Sequence, residues 1–119
     1  MLPGRFTVCR LEAAAALPAW AADGAFLSIT RTDQELSIVC PEEHVPADVR
    51  SERGFRVLRV DGPLDFSLVG ILARIATPLA GAGISIFAIS SFDTDHILVR
   101  EAQLAQSREA LSRAGIRLA

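Results

Sequence analysis

Apolar and polar residues change period several times along the chain, and each change marks an element. Phe6-Thr-Val-Cys-Arg-Leu11 alternates around Val8, which predicts a strand. Leu17-Pro18-Ala-Trp20 then sets a proline at the first position of a short helix, which Asp23-Gly24 ends. Phe26 to Arg31 and Leu36 to Cys40 read as strands joined by Thr32-Asp33-Gln34-Glu35. Residues 41–54 are polar, contain two prolines and read as a loop. Phe55 to Val60 is the next strand, and Gly62-Pro63 the turn after it.

Beyond that turn the period becomes helical. Leu68, Val69, Leu72, Ile75, Ala76 and Leu79 recur on one face, and Asp65 is the expected N-cap. Pro78 should kink this helix or end its regular bonding near Arg74, with Gly81 or Gly83 as the stop. Ile84 to Ser90 and His96 to Arg100 then read as strands around a turn at Phe92-Asp93-Thr94-Asp95. A helix from Leu104 to Ala114, capped by Gly115, precedes a short closing strand, Ile116-Arg-Leu118.

The elements repeat. Phe6–Leu11 matches Phe55–Val60 at an offset of 49 (55 − 6), and Ser28–Val39 lies over Ala88–Val99 at an offset of 60 (88 − 28). The second match sets Asp33 over Asp93 and Glu35 over Asp95. The difference of 11 (60 − 49) is the extra length of the second helix. The predicted fold class is therefore α+β: a ferredoxin-like βαββαβ unit over residues 55–119, preceded by a truncated βαββ repeat over 1–54, with antiparallel sheets and helices on one face.

Composition narrows the chemistry. The chain has 119 residues, 50% of them hydrophobic, and a net charge of -2, so no basic surface marks it for nucleic acid or anionic membrane. Aromatic content of 6% argues further against an RNA-recognition sheet. Every basic side chain is arginine, which excludes a catalytic lysine. The apolar stretch from Leu68 to Phe92 is broken by Arg74, Pro78, Gly81 and Gly83 and reads as helix then strand, not as a membrane span. Cys9 and Cys40 sit in strand-like contexts and read as buried thiols of a reducing cytoplasm. No metal ligand set, nucleophile elbow or phosphate loop is visible, so neither cofactor nor catalysis is expected.

The segments Leu17-Pro-Ala-Trp20, Glu35–Glu43, Gly62–Leu72 and above all Pro78–Val99 resemble ACT domains, in the tandem form of the CASTOR arginine sensors and their bacterial relatives. The resemblance implies an amino-acid ligand held at an interface between ACT units and coupled to a regulatory partner; the chain itself is expected to form a homodimer. Two stretches are candidates for the site. Residues Asp65, Phe66, Ser67 and Leu68 begin a helix, whose free N–H groups suit a carboxylate; the alternative is that Asp65 simply caps its own helix. Ser90, Ser91, Phe92, Asp93, Thr94 and Asp95 gather hydroxyls and carboxylates suited to an ammonium or guanidinium, against the alternative of a solvated turn. Asp95 ranks first among them. The competing function is a ligand-free module that assembles through an unpaired sheet edge.

Overall fold

The computed structural model describes residues 1–61 and 69–119. The chain divides into two compact units, one of Pro3–Phe55 and one of Met1–Leu2 with Arg56–Ala119.

In the first unit β1 (Phe6–Leu11) pairs antiparallel with β3 (Leu36–Pro41), which pairs with β2 (Ser28–Arg31). On its other side β1 pairs with the start of β4 (Ser51–Arg59). Strand β4 begins earlier than its apolar run suggests, because Ser51 and Glu52 lie opposite Cys9 and Val8. Three residues of β1 (Phe6 to Val8) face four of β4 (Glu52 to Phe55), so β4 carries a bulge. Gly54 sits there at φ 81°, a left-handed conformation that costs glycine least. Its N–H donates to Glu42 Oε1 at 2.7 Å. Arg5 pairs with the same carboxylate at 3.3 Å, and Thr7 donates to it at 3.5 Å.

The short helix expected around Trp20 does not form; residues 12–27 run as turns. Six residues from Pro18 to Asp23 are too few to sustain a helix by themselves, and a single turn, Ala21 N–H to Pro18 O, is all that closes. Arg31 instead holds the carbonyls of Ala13 and Ala15. Ala21 joins Cys9, Leu36, Ile38, Cys40 and Val45 in the core, with Trp20 packed against them. Burial, then the neighbouring Cys40, pushes the Cys9 thiol up to about 11, and burial raises Cys40 as well. Both stay protonated and unreactive near neutrality.

The second unit runs from the end of β4 through α1 (Ile71–Gly81), β5 (Phe87–Ser90), β6 (Asp95–Arg100) and α2 (Leu104–Arg113). Its strand order is β4-β6-β5, and Leu118 bridges Val60 on the other side of β4. This is the ferredoxin-like arrangement the sequence predicts, the closing strand reduced to one bridge. Leu58, Val60, Ile75, Leu79, Ile84, Ile97, Val99 and Leu111 form its core.

Helix α1 starts at Ile71 with Gly70 as its N-cap, so its cap is not Asp65, which itself lies outside the described residues. The buried stripe is accordingly Ile71, Ile75 and Leu79, while Val69 is 89% and Leu72 43% exposed. Pro78 lies inside the helix without ending it. Both helices stop in the same way. Ile84 N–H returns to Leu79 O and Gly83 N–H to Ala80 O; Ile116 N–H returns to Leu111 O and Gly115 N–H to Ser112 O. Each is a Schellman turn with a glycine at positive φ and an apolar clasp, Ile84 on Leu79 and Ile116 on Leu111.

Candidate functional site

The β5–β6 hairpin closes one residue earlier than its sequence suggests. Ser90 pairs with Asp95, and both the N–H and the hydroxyl of Ser91 donate to Thr94 O, at 2.9 and 3.0 Å. Phe92 and Asp93 therefore form the tip, and Phe92 is 80% exposed. Two bonds strap this hairpin to the end of β4. Val60 N–H donates to Asp95 O at 3.0 Å, and Thr94 Oγ1 donates to Val60 O at 2.8 Å.

Those straps frame a crevice of about 490 Å³ lined by Arg59, Asp61, Ser91, Asp93, Thr94 and His96, among others. Three of the ten expected site residues meet here: Ser91, Asp93 and Thr94. Asp95 does not line it. Its side chain is buried and accepts the Ser90 hydroxyl at 2.6 Å, so this pair braces the hairpin from within. Asp65, Phe66, Ser67 and Leu68 lie outside the described residues.

Arg59 and His96 also line the crevice, and neither is among the ten residues that the sequence marks for the site. The Arg59 Nε–H donates to His96 Nε2 at 3.2 Å, which requires an unprotonated ring nitrogen. Burial, and then the Arg59 charge, lowers the His96 pKa from its ordinary 6.5, so the imidazole is neutral near pH 7. The signal available in sequence was parity. Leu58 of β4 and Val60 just beyond it are core, so Arg59 between them projects to the opposite face. The crevice thus sets one guanidinium against the carboxylates of Asp61 and Asp93. Asp61 lies 3.9 Å from Arg117, and both of those side chains are well exposed.

A linkage effect follows from the neutral histidine. The unfolded chain protonates His96 at a higher pH than the folded chain does, so acidification through about pH 6.5 favours unfolding. Urea unfolding at about pH 7.5 and about pH 5 should show a larger loss for the wild type than for His96→Gln, which cannot titrate. Equal losses in both proteins would remove the linkage.

A second crevice, of about 800 Å³, lies in the first unit and is larger. Two of its charged side chains, Glu42 and Arg53, are committed to holding the backbone. Glu42 accepts from Gly54, and Arg53 donates to the carbonyls of Val45 and Pro46 at 3.2 and 2.9 Å. The hairpin crevice is the better candidate, for its charged groups do not serve the local fold in this way. Among the described residues no cluster of three or more His, Cys, Asp or Glu is placed to hold a metal ion. No described helix is long and apolar enough to cross a membrane.

Comparison with known proteins agrees with this architecture. The bovine protein named cytosolic arginine sensor for mTORC1 subunit 1 is 39% identical over 97 residues, covering 75% of this chain and 30% of its own length. The human protein of that name is 47% identical over 60 residues, 50% of this chain and 18% of its own. The chain therefore spans less than a third of the curated relatives it matches. Among solved structures, a protein from Agrobacterium tumefaciens superposes at TM-score 0.88 with 46% identity, covering 94% of this chain and 84% of that one. A Clostridium acetobutylicum aspartate kinase shares the fold at TM-score 0.69 and 12% identity, over 92% of this chain and 32% of its own. A model for an N-terminal domain matches residues 4–48, and the ACT-domain model matches residues 50–117. With that match spanning more than half of its length, the chain belongs to the ACT-domain family.

Proposed function

We propose that this chain is a regulatory, non-catalytic module that binds a free amino acid in the hairpin crevice of its second unit. The observation that carries the reading is the convergence there of Arg59 with Asp61 and Asp93, opposite charges lining one crevice. A zwitterion needs both signs, and a cleft partly withdrawn from water strengthens each pairing. Arginine is the first ligand to test, since its guanidinium suits the carboxylates and the mammalian relatives carry the name arginine sensor. Asp65, Phe66, Ser67 and Leu68 stay in the proposal on the sequence argument alone, as a source of N–H donors. Binding would act by shifting an assembly equilibrium, the homodimer being the state expected.

A thermal-shift screen of the common amino acids tests this. A true ligand at about 100 times its Kd adds about 2.7 kcal/mol of stability, a shift of several degrees in a chain of this size. Asp93→Ala should abolish the response while leaving the ligand-free melting temperature unchanged, because Asp93 sits at an exposed tip. No stabiliser at millimolar concentration would refute the reading.

One observation favours a second reading, assembly without a ligand. Strand β2 is the outer strand of its unit, and Leu27 and Ile29 beside and within it are exposed. Size-exclusion chromatography with and without amino acids separates the two, a dimer indifferent to ligand supporting this one.

A further inference from the structure

We propose that Arg59 is the arm that receives the ligand's carboxylate and that His96 is the residue that aims it. The inference rests on the amino-acid reading of the same crevice and assigns the anionic half of the ligand, a free α-carboxylate, to one side chain.

Arg59 ends β4, and its carbonyl accepts the Ala119 N–H at 2.9 Å, so its Cα is fixed. Its side chain is exposed but not loose, because Nε is tied to the buried His96. A guanidinium donates through two edges, and His96 occupies a position on the Nε side. The Nη1–Nη2 edge is left to the crevice that Arg59 lines. Among the described residues those two nitrogens hold no hydrogen bond or ion pair. Other arginines differ. Arg10, Arg31 and Arg53 all spend Nη atoms on backbone carbonyls. An Nη edge presented flat to a crevice is the geometry that takes a carboxylate through two parallel bonds.

The choice of histidine as the acceptor matters. A carboxylate in that place would hold Arg59 more tightly, but would cancel the charge the ligand needs. A neutral imidazole fixes the direction of the guanidinium and leaves its full positive charge available. Holding the side chain in advance also removes much of the rotamer entropy that binding would otherwise cost. Asp93 on the same crevice then takes the ligand's cationic group, so the two ends are read by different elements, β4 and the hairpin tip.

The test measures binding by calorimetry to whichever amino acid stabilises the wild type, beside its α-carboxamide. The amide should bind at least about tenfold more weakly, and Arg59→Ala and Arg59→Lys should each lose about tenfold, since lysine keeps the charge but not the fork. His96→Gln retains an acceptor for Arg59 Nε and should stay within about threefold of the wild type, whereas His96→Leu should lose about tenfold. A merely structural histidine would not separate Gln from Leu in this way once ligand-free melting temperatures are matched. Should His96→Leu fail to fold, the two Arg59 variants decide. Wild-type affinity in Arg59→Ala, or an amide that binds as well as the acid, overturns this assignment and leaves the amino-acid reading standing. A wild type that binds no amino acid removes both.

Discussion

Leu79→Ala is expected to lower the stability of the second unit by about 2–5 kcal/mol, the range for deleting a fully buried leucine side chain. Leu79 has no solvent exposure and belongs to the core with Ile75, Ile84 and Leu111. It also clasps Ile84 in the turn that ends α1, so the cavity opens beside the residue whose N–H returns to the Leu79 carbonyl. Neighbouring atoms cannot collapse into the space without disturbing that turn, which places the cost toward the upper part of the range. The control is Leu72→Ala. Leucine 72 is on the same helix but 43% exposed, so its loss should be well under that of Leu79. Urea titrations read both, with the midpoint shifting at constant slope if the change is one of stability. Equal midpoints for the two variants would mean that the helix presents another face to the core.

That comparison also measures where the sequence misleads. Strand alternation in Phe6–Leu11 and Leu36–Cys40 specified two strands to within a residue, because each has a buried face that a one-residue slip would expose. Helix α1 was legible as a helix but not in its phase. Val69 continues the apolar spacing ahead of the N-cap Gly70, and Leu72 in the first turn is 43% exposed; periodicity cannot tell a residue before the cap from one within the first turn. The hairpins show the same one-residue ambiguity. Thr32 N–H bonds Glu35 O, and Ser91 N–H bonds Thr94 O, so the two closures correspond at an offset of 59 (91 − 32), not the 60 that aligns Asp33 with Asp93. The slip moves Asp93 to the tip and onto the crevice, and turns Asp95 inward. Among the described residues no non-glycine residue has positive φ, so neither tip is a primed turn whose Asn-Gly signature would have fixed the register.

What the sequence could not offer was the pairing of distant polar residues. Arg59 and His96 stand 37 positions apart and meet because β4 and β6 are neighbours in the sheet. Neither residue type at either position carries a spacing signal. Glu42 was hidden for a similar reason, within a stretch of 41–54 whose polarity reads as loop. Its partner is a backbone N–H, released by a bulge that no motif announces.

Glu42→Ala is accordingly the second substitution expected to have a large effect, lowering stability of the first unit by about 1–3 kcal/mol. The bond from Gly54 dominates. At the bulge its N–H faces away from the β1 ladder, and with Glu42 gone a part-buried donor is left without its acceptor. The Arg5 pair adds little, since Arg5 is 56% exposed and water screens it. Thr7 is buried, but its contact at 3.5 Å is long. Those weights predict an asymmetry between two variants. Glu42→Gln keeps a carbonyl oxygen for Gly54 and should recover most of the loss, although the charge is gone. If Gln and Ala were equally destabilising in chemical denaturation, the Arg5 ion pair would be the principal contribution and the bulge would need no acceptor. Near-wild-type stability in Glu42→Gln, with a clear deficit in Glu42→Ala, would establish that the carboxylate is held at this position to satisfy the backbone of β4.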